Sequence, residues 1–119
     1  MRALEIAIVL AGMGAAAVAA AAPAQAESLE AIAQRCAPDV HPQTLRGLVT
    51  TESMGNPFAI GVVGGKLDHQ PRNLEEALAA VQALERAGYN FSLGLAQVNR
   101  YNLARYGQTY ASIFEPCAN

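Results

Sequence analysis

Two prolines, Pro42 and Pro57, frame a stretch that can make one short helix and little else. Pro42 suits the first helical position, where its missing N–H costs nothing. Leu45, Leu48 and Val49 follow at three- and four-residue spacing and make one apolar face. Gly55 with Asn56-Pro57 supplies the stop. The next position on that apolar stripe is Glu52. At the core-facing end of a helix a carboxyl is expensive to ionise, so burial there favours the protonated acid, the form a general acid must have. The competing reading turns Glu52 to solvent or pairs it with an arginine, and spacing alone does not separate the two.

The first 26 residues read as an export leader. Arg2 and the free amino end give a weakly positive start, followed by an alanine-heavy apolar run from Ile6 to Ala22. Pro23 and Ala24-Gln25-Ala26 then match the small-x-small pattern of a signal peptidase site. The run is near the lower limit for crossing a bilayer and holds few large apolar residues, which argues against an uncleaved anchor. Cleavage would leave Glu27 to Asn119, 93 residues and one small domain, in the periplasm. The full chain carries eight basic and ten acidic residues. Losing Arg2 and Glu5 leaves seven and nine, net −2. The arginines at 35, 46, 72, 86, 100 and 105 are scattered, so no basic stripe points to nucleic acid.

Cys36 and Cys117 are the only cysteines. In an exported domain this small the default is a disulfide joining its two ends, worth roughly 4–5 kcal/mol at most in the loop-entropy model. Two free thiols, or partners outside the chain, are the alternatives. No second cysteine or histidine lies at ligand spacing around either one, and His41 and His69 read as a helix-start residue and a loop residue, so no metal site is expected.

Taken in order, Ser28 is an N-cap for a helix whose face is Leu29, Ile32, Ala33 and Cys36, ended by Pro38. Phe58 to Gly65 reads as a strand or extended loop with a turn at Gly64-Gly65. Asn73 with Glu76 makes a capping-box-like start to a helix lined by Leu74, Ala77, Leu78, Val81 and Leu84 and closed by Gly88. Phe91, Leu93 and Leu95 alternate with Asn90, Ser92 and Gly94, the pattern of an extended segment against a core. Gln97 and Asn99 follow, amides able to donate and accept at once, as sugar hydroxyls and acetamido groups require. Turn chemistry explains Asn99 as well and Gln97 less well. Arg100 to Tyr106 reads as a short helix stopped by Gly107.

Three stretches together resemble the lytic transglycosylases of type IV secretion and conjugal-transfer systems, within the lysozyme-like superfamily. They are Glu52-Ser53-x-Gly55-Asn56-Pro57, then Ala59 to Gly65 followed by Gln70-Pro71-Arg72-Asn73, then Gly94-Leu95-Ala96-Gln97-Val98-Asn99, close to a Gly-Leu-Met-Gln-x-Asn signature. The resemblance runs from Cys36 to Cys117. It implies a mainly α (α+β) lysozyme-like fold, several short helices with a small β element beside a cleft. It implies cleavage of the β-1,4 bond between N-acetylmuramic acid and N-acetylglucosamine in peptidoglycan glycan strands, alongside secretion components. Glu52 would protonate the glycosidic oxygen and then take the proton of the muramyl C6 hydroxyl as a 1,6-anhydro ring closes. Ser53 would orient the site, and Gln97 and Asn99 would line the saccharide cleft. Tyr89 would offer a stacking face, whereas Phe91 is better read as core. No cofactor is called for, and no second carboxylate is needed, unlike the usual two-carboxylate glycosidases.

The family pattern continues past Cys117 with further helices and a Tyr-Asn motif that completes the cleft, so the expectation for a chain ending at Asn119 is a partial domain with its cleft open on one side. Two other functions compete: a non-catalytic peptidoglycan-binding or assembly module, and a hydrolytic lysozyme-type enzyme, which the lack of a well-placed second carboxylate disfavours.

Overall fold

The computed structural model describes residues 17–20 and 26–119, so the leader expected over residues 1–26 falls almost wholly outside the described residues. Three helices, α1 (Leu29–Cys36), α2 (Pro42–Ser53) and α3 (Leu74–Arg86), surround a small sheet of β1 (Ile60–Val62), β2 (Phe91–Leu93) and β3 (Val98–Asn99). Among the described residues no helix is long and apolar enough to cross a membrane.

Each helix begins where a polar side chain can take an orphan backbone N–H. Ser28 accepts from Ala31 N, and His41 accepts from Gln43 N with Pro42 at the first helical position. Asn73 accepts from Glu76 N at 2.8 Å. The Glu76 carboxylate reaches back to Arg72, taking its backbone N–H at 2.9 Å and its guanidinium at 3.1 Å. These two contacts, the backbone bond first, hold the Glu76 carboxyl below the usual carboxylate range.

The buried line of α2 departs from the expected one. Val49 and Ser53 are buried and Leu45 is half-buried, while Leu48 and Glu52 are exposed. The core follows the four-residue row 45–49–53, so Ser53 takes the place assigned to Glu52. The desolvation expected at Glu52 is absent, and its carboxyl faces water on the flank of the helix.

The sheet is antiparallel, in the order β1-β2-β3, with Gly61 opposite Ser92 and Ser92 opposite Asn99. Period-two alternation then sorts its faces. Ile60, Phe91 and Leu93 point into the core, with Val62 and Val98 packed at its margin. Gly61, Ser92 and Asn99 occupy the other face. The expected strand between Phe58 and Gly65 shortens to three residues because the chain turns away at Val63-Gly64.

Two apolar clusters result. The larger joins α3 through Ala77, Val81 and Leu84 to the sheet and to Leu103, Ile113 and Phe114. The smaller joins α1 to α2 through Ile32, Val49 and Leu95. Leu93 and Leu95 therefore lie in different clusters, one residue apart on either side of Gly94. Arg100 to Tyr106 is two 3₁₀ turns, Arg100–Asn102 and Ala104–Tyr106, in place of the expected helix. Leu103 is its one buried anchor, too little apolar surface to hold a longer helix against the core.

Cys36 and Cys117 are bridged, their Cα atoms 4.8 Å apart across 81 positions of sequence. Replacing both with serine should cost about 2–5 kcal/mol of stability, read from the urea midpoint, the usual loss for a small disulfide-linked domain. Glu76 gives a pH prediction. Its folded-state value is depressed, so its contribution is present above the unfolded carboxylate range and is lost as pH falls through the folded value. Melting temperature measured from pH 6 to pH 2 should therefore fall less steeply in Glu76→Gln than in the parent chain.

Candidate active site

The end of α2 and the edge of the sheet enclose an open groove of about 320 Å³. Thr51 to Met54 form one wall, Ala59 to Gly61 the other, and Gln70 and Gln97 complete it. Glu52 and Gln97, 45 positions apart in sequence, thus share one cavity. Ser53 lines the same groove with its hydroxyl turned inward, donating to Val49 O at 3.0 Å.

Gln97 is held on two sides. Its Nε2 donates to Ala59 O at 3.1 Å and to Gly94 O at 2.9 Å. Among the described residues no donor reaches its Oε1, which is the acceptor left for a ligand. That oxygen lies against Gly61, where a Cβ would sit only 2.5 Å from it, so a side chain at Gly61 would displace the Gln97 amide. Gln97 and Met54 are the non-glycine residues with positive φ among the described residues, at 54° and 53°. Each conformation costs on the order of 1–2 kcal/mol. Both residues line the groove, and backbone strain of this kind collects where a fold holds side chains for use.

Two motif residues, Gln70, to which the sequence assigns no role, and Asn56, which it marks only as part of the helix stop, support the groove. The Gln70 amide pairs with the outer edge of β1 as a strand would, accepting from Ile60 N at 2.8 Å and donating to Ile60 O at 3.1 Å. Asn56 ties the end of α2 to the same loop, accepting from Phe58 N at 2.9 Å and donating to Pro71 O at 3.2 Å. Both fall within the motif stretches. Apart from the local bond to Phe58 N, their bonds go to backbone groups 10 to 15 positions away that only the fold brings near, so no periodicity marks them.

Asn99 and Tyr89 lie apart from Glu52. Asn99 caps the first 3₁₀ turn by accepting from Tyr101 N and donates to Asn90 Oδ1 at 3.0 Å and Ser92 Oγ at 3.4 Å. It belongs to the polar face of the sheet that begins at Gly61, so it extends the groove floor without lining the cavity. Tyr89 is exposed and rests near Gly65, just beyond the end of the β1–β2 pair where Val62 faces Phe91. Phe91 is fully buried, as core. His41 caps α2 and His69 lies in a loop. Among the described residues no group of three potential metal ligands converges.

Another depression, of about 290 Å³, lies between α1 and α2. Its charged residues, Glu30 and Arg46, are paired with each other, so the groove at Glu52 is the better place for chemistry.

The chain belongs to the transglycosylase SLT domain family, whose model matches residues 30–119. It is 60% identical over 88 residues to the type IV secretion system protein virB1 of Brucella abortus (strain 2308) and of Brucella suis biovar 1, matches that cover 74% of this chain and 37% of each relative. The protein virB1 of Agrobacterium fabrum (strain C58) is 31% identical over 101 residues, 83% of this chain and 40% of the relative. The chain thus spans well under half the length of these curated relatives. No solved structure matches it.

Because Gln97 Oε1 and Gly61 are in contact, Gly61→Ala should cost about 1–2 kcal/mol through loss of a Gln97 hydrogen bond. A crystal structure of the variant should show the Gln97 amide rotated away from Ala59 O. An unmoved amide would mean that the contact does not constrain it.

Proposed function

We propose that this chain is the catalytic part of an exported peptidoglycan lytic transglycosylase that opens the cell wall locally for a type IV secretion or conjugation apparatus. The reading is carried by the shared groove of Glu52 and Gln97. The family match and the names of its virB1 relatives support it.

In this reading a glycan strand lies across the groove and along the polar sheet face. Gln97 Oε1 accepts from a sugar hydroxyl or acetamido N–H, while Ser92 on the sheet and Asn90 just before β2 offer further polar groups. The strand covers the Glu52 carboxyl and excludes water from it, the condition under which a carboxylic acid serves as proton donor. Glu52 gives its proton to the glycosidic oxygen as the bond from muramyl C1 breaks, and the leaving N-acetylglucosamine keeps that proton on O4. The muramyl C6 oxygen then bonds to C1 and yields its own proton to the Glu52 carboxylate. Water is not consumed and the acid is restored.

Exposure of Glu52 in the free chain fits this order of events, because it is the substrate that supplies the dry surroundings. Action in the periplasm is the reading that the leader expected over residues 1–26 and the disulfide support.

Digestion of purified sacculi followed by mass spectrometry of the muropeptides tests the reading. The parent chain should release anhydro-muramyl ends, and Glu52→Gln should reduce them by about 10³-fold or more, as expected when one group acts as both acid and base. Reducing ends in place of anhydro ends would identify a hydrolase. A Glu52→Gln variant that binds sacculi and supports secretion like the parent would instead identify a non-catalytic wall-binding module.

A further inference from the structure

We propose that Asn119 is a positioning residue for the groove, holding Gln97 in place through the backbone of the Gly94–Gln97 turn. This rests on the reading of Gln97 as a substrate contact given above. The Asn119 carboxamide is engaged on both its atoms. Its Oδ1 accepts from Ala96 N at 2.6 Å, and its Nδ2 donates to Leu93 O at 2.8 Å and Ile113 O at 2.9 Å. It fills the space that a side chain at position 94 would need, for a Cβ on Gly94 would overlap its amide.

Ala96 is the residue before Gln97, so the bond to its N–H fixes the chain as it enters the left-handed conformation of Gln97. A single residue in that region persists only where its surroundings hold it. Without Asn119, Gln97 is free to relax to negative φ, and its amide leaves Ala59 O and Gly94 O. Asn119 does not line the groove, so it acts through the turn. The arm that carries it is itself fixed: Cys117 is bridged to Cys36, and the Glu115 carboxylate accepts from Cys117 N at 2.9 Å and Ala118 N at 3.1 Å.

The test compares the full chain, its bridge intact, with Asn119→Ala by NMR and by turnover on purified sacculi. In the parent, Ala96 N–H should exchange slowly with solvent and the two Gln97 side-chain N–H signals should be well dispersed. In the variant, exchange at Ala96 should quicken and the Gln97 signals should move to free-amide positions. The kcat should fall about 10- to 100-fold, the scale of a small misplacement, with KM within about threefold. Fast Ala96 exchange in the folded parent overturns the proposal. So do unmoved Gln97 signals in the variant, or moved signals with unchanged kcat. If Asn119→Ala does not fold, Asn119→Ser, whose hydroxyl is too short to reach both Ala96 N and Ile113 O, is judged by the same outcomes. Absence of anhydro product from the parent would count against the transglycosylase reading alone, and the exchange and side-chain signals would still decide the role of Asn119.

Discussion

The two apolar clusters of this domain meet at one glycine. Leu93 belongs to the cluster under the sheet and Leu95 to the cluster between α1 and α2. Gly94 must turn the chain sharply enough to serve both. It does so at φ 81°, with its N–H on Ala59 O at 2.9 Å. A left-handed residue with a neighbour packed against its Cα leaves room only for glycine. The groove is a by-product of this junction: the turn that passes from one cluster to the other lifts Gln97 beside β1, and the end of α2 closes the opposite side.

Strain and the proposed chemistry coincide here. Met54 and Gln97 face one cavity from opposite walls in conformations that side chains ordinarily avoid. Met54 is almost fully exposed, so no packing of its own side chain explains its place. Its conformation ends α2 at once, leaving Glu52 within the last turn of the helix at the lip of the groove. Gln97 obtains two hydrogen bonds from the same kind of distortion. The carboxyl and the amide are each set by a backbone that bends immediately beside them.

Much of this was legible in the sequence because it is local. The caps at Ser28 and Asn73, the helix start at His41-Pro42, the stop at Gly88 and the alternation from Phe91 to Leu93 rest on interactions within a few residues, and these are found, whereas the expected extension to Leu95 is replaced by the turn at Gly94. The exposure of Glu52 was not legible. Leu48 and Val49 sit on adjacent flanks of α2, and which flank meets the core depends on how α1 crosses it, a matter of tertiary packing. The spacing fits a 48–52 row as well as a 49–53 row. β3 was hidden because two residues give no periodicity. Gln70, Asn119 and the long bond of Asn56 were hidden for a different reason: they satisfy backbone groups 6 to 26 positions away, and nothing in an isolated Asn or Gln tells which carbonyl it will meet.

The position of the bridge has a mechanical consequence. Cys36 ends α1, and Cys117 stands two residues before Asn119, with Arg35 pairing with Glu27 at the same corner. Any polypeptide attached before Glu27 or beyond Asn119 would depart from that corner. A tug between two such extensions would travel along α1, across the sulfur atoms and out through the last two residues, bypassing the larger cluster under the sheet. The short arm carrying Asn119 is bonded to Ala96 N, and through it tension from outside would reach the turn that carries Gln97.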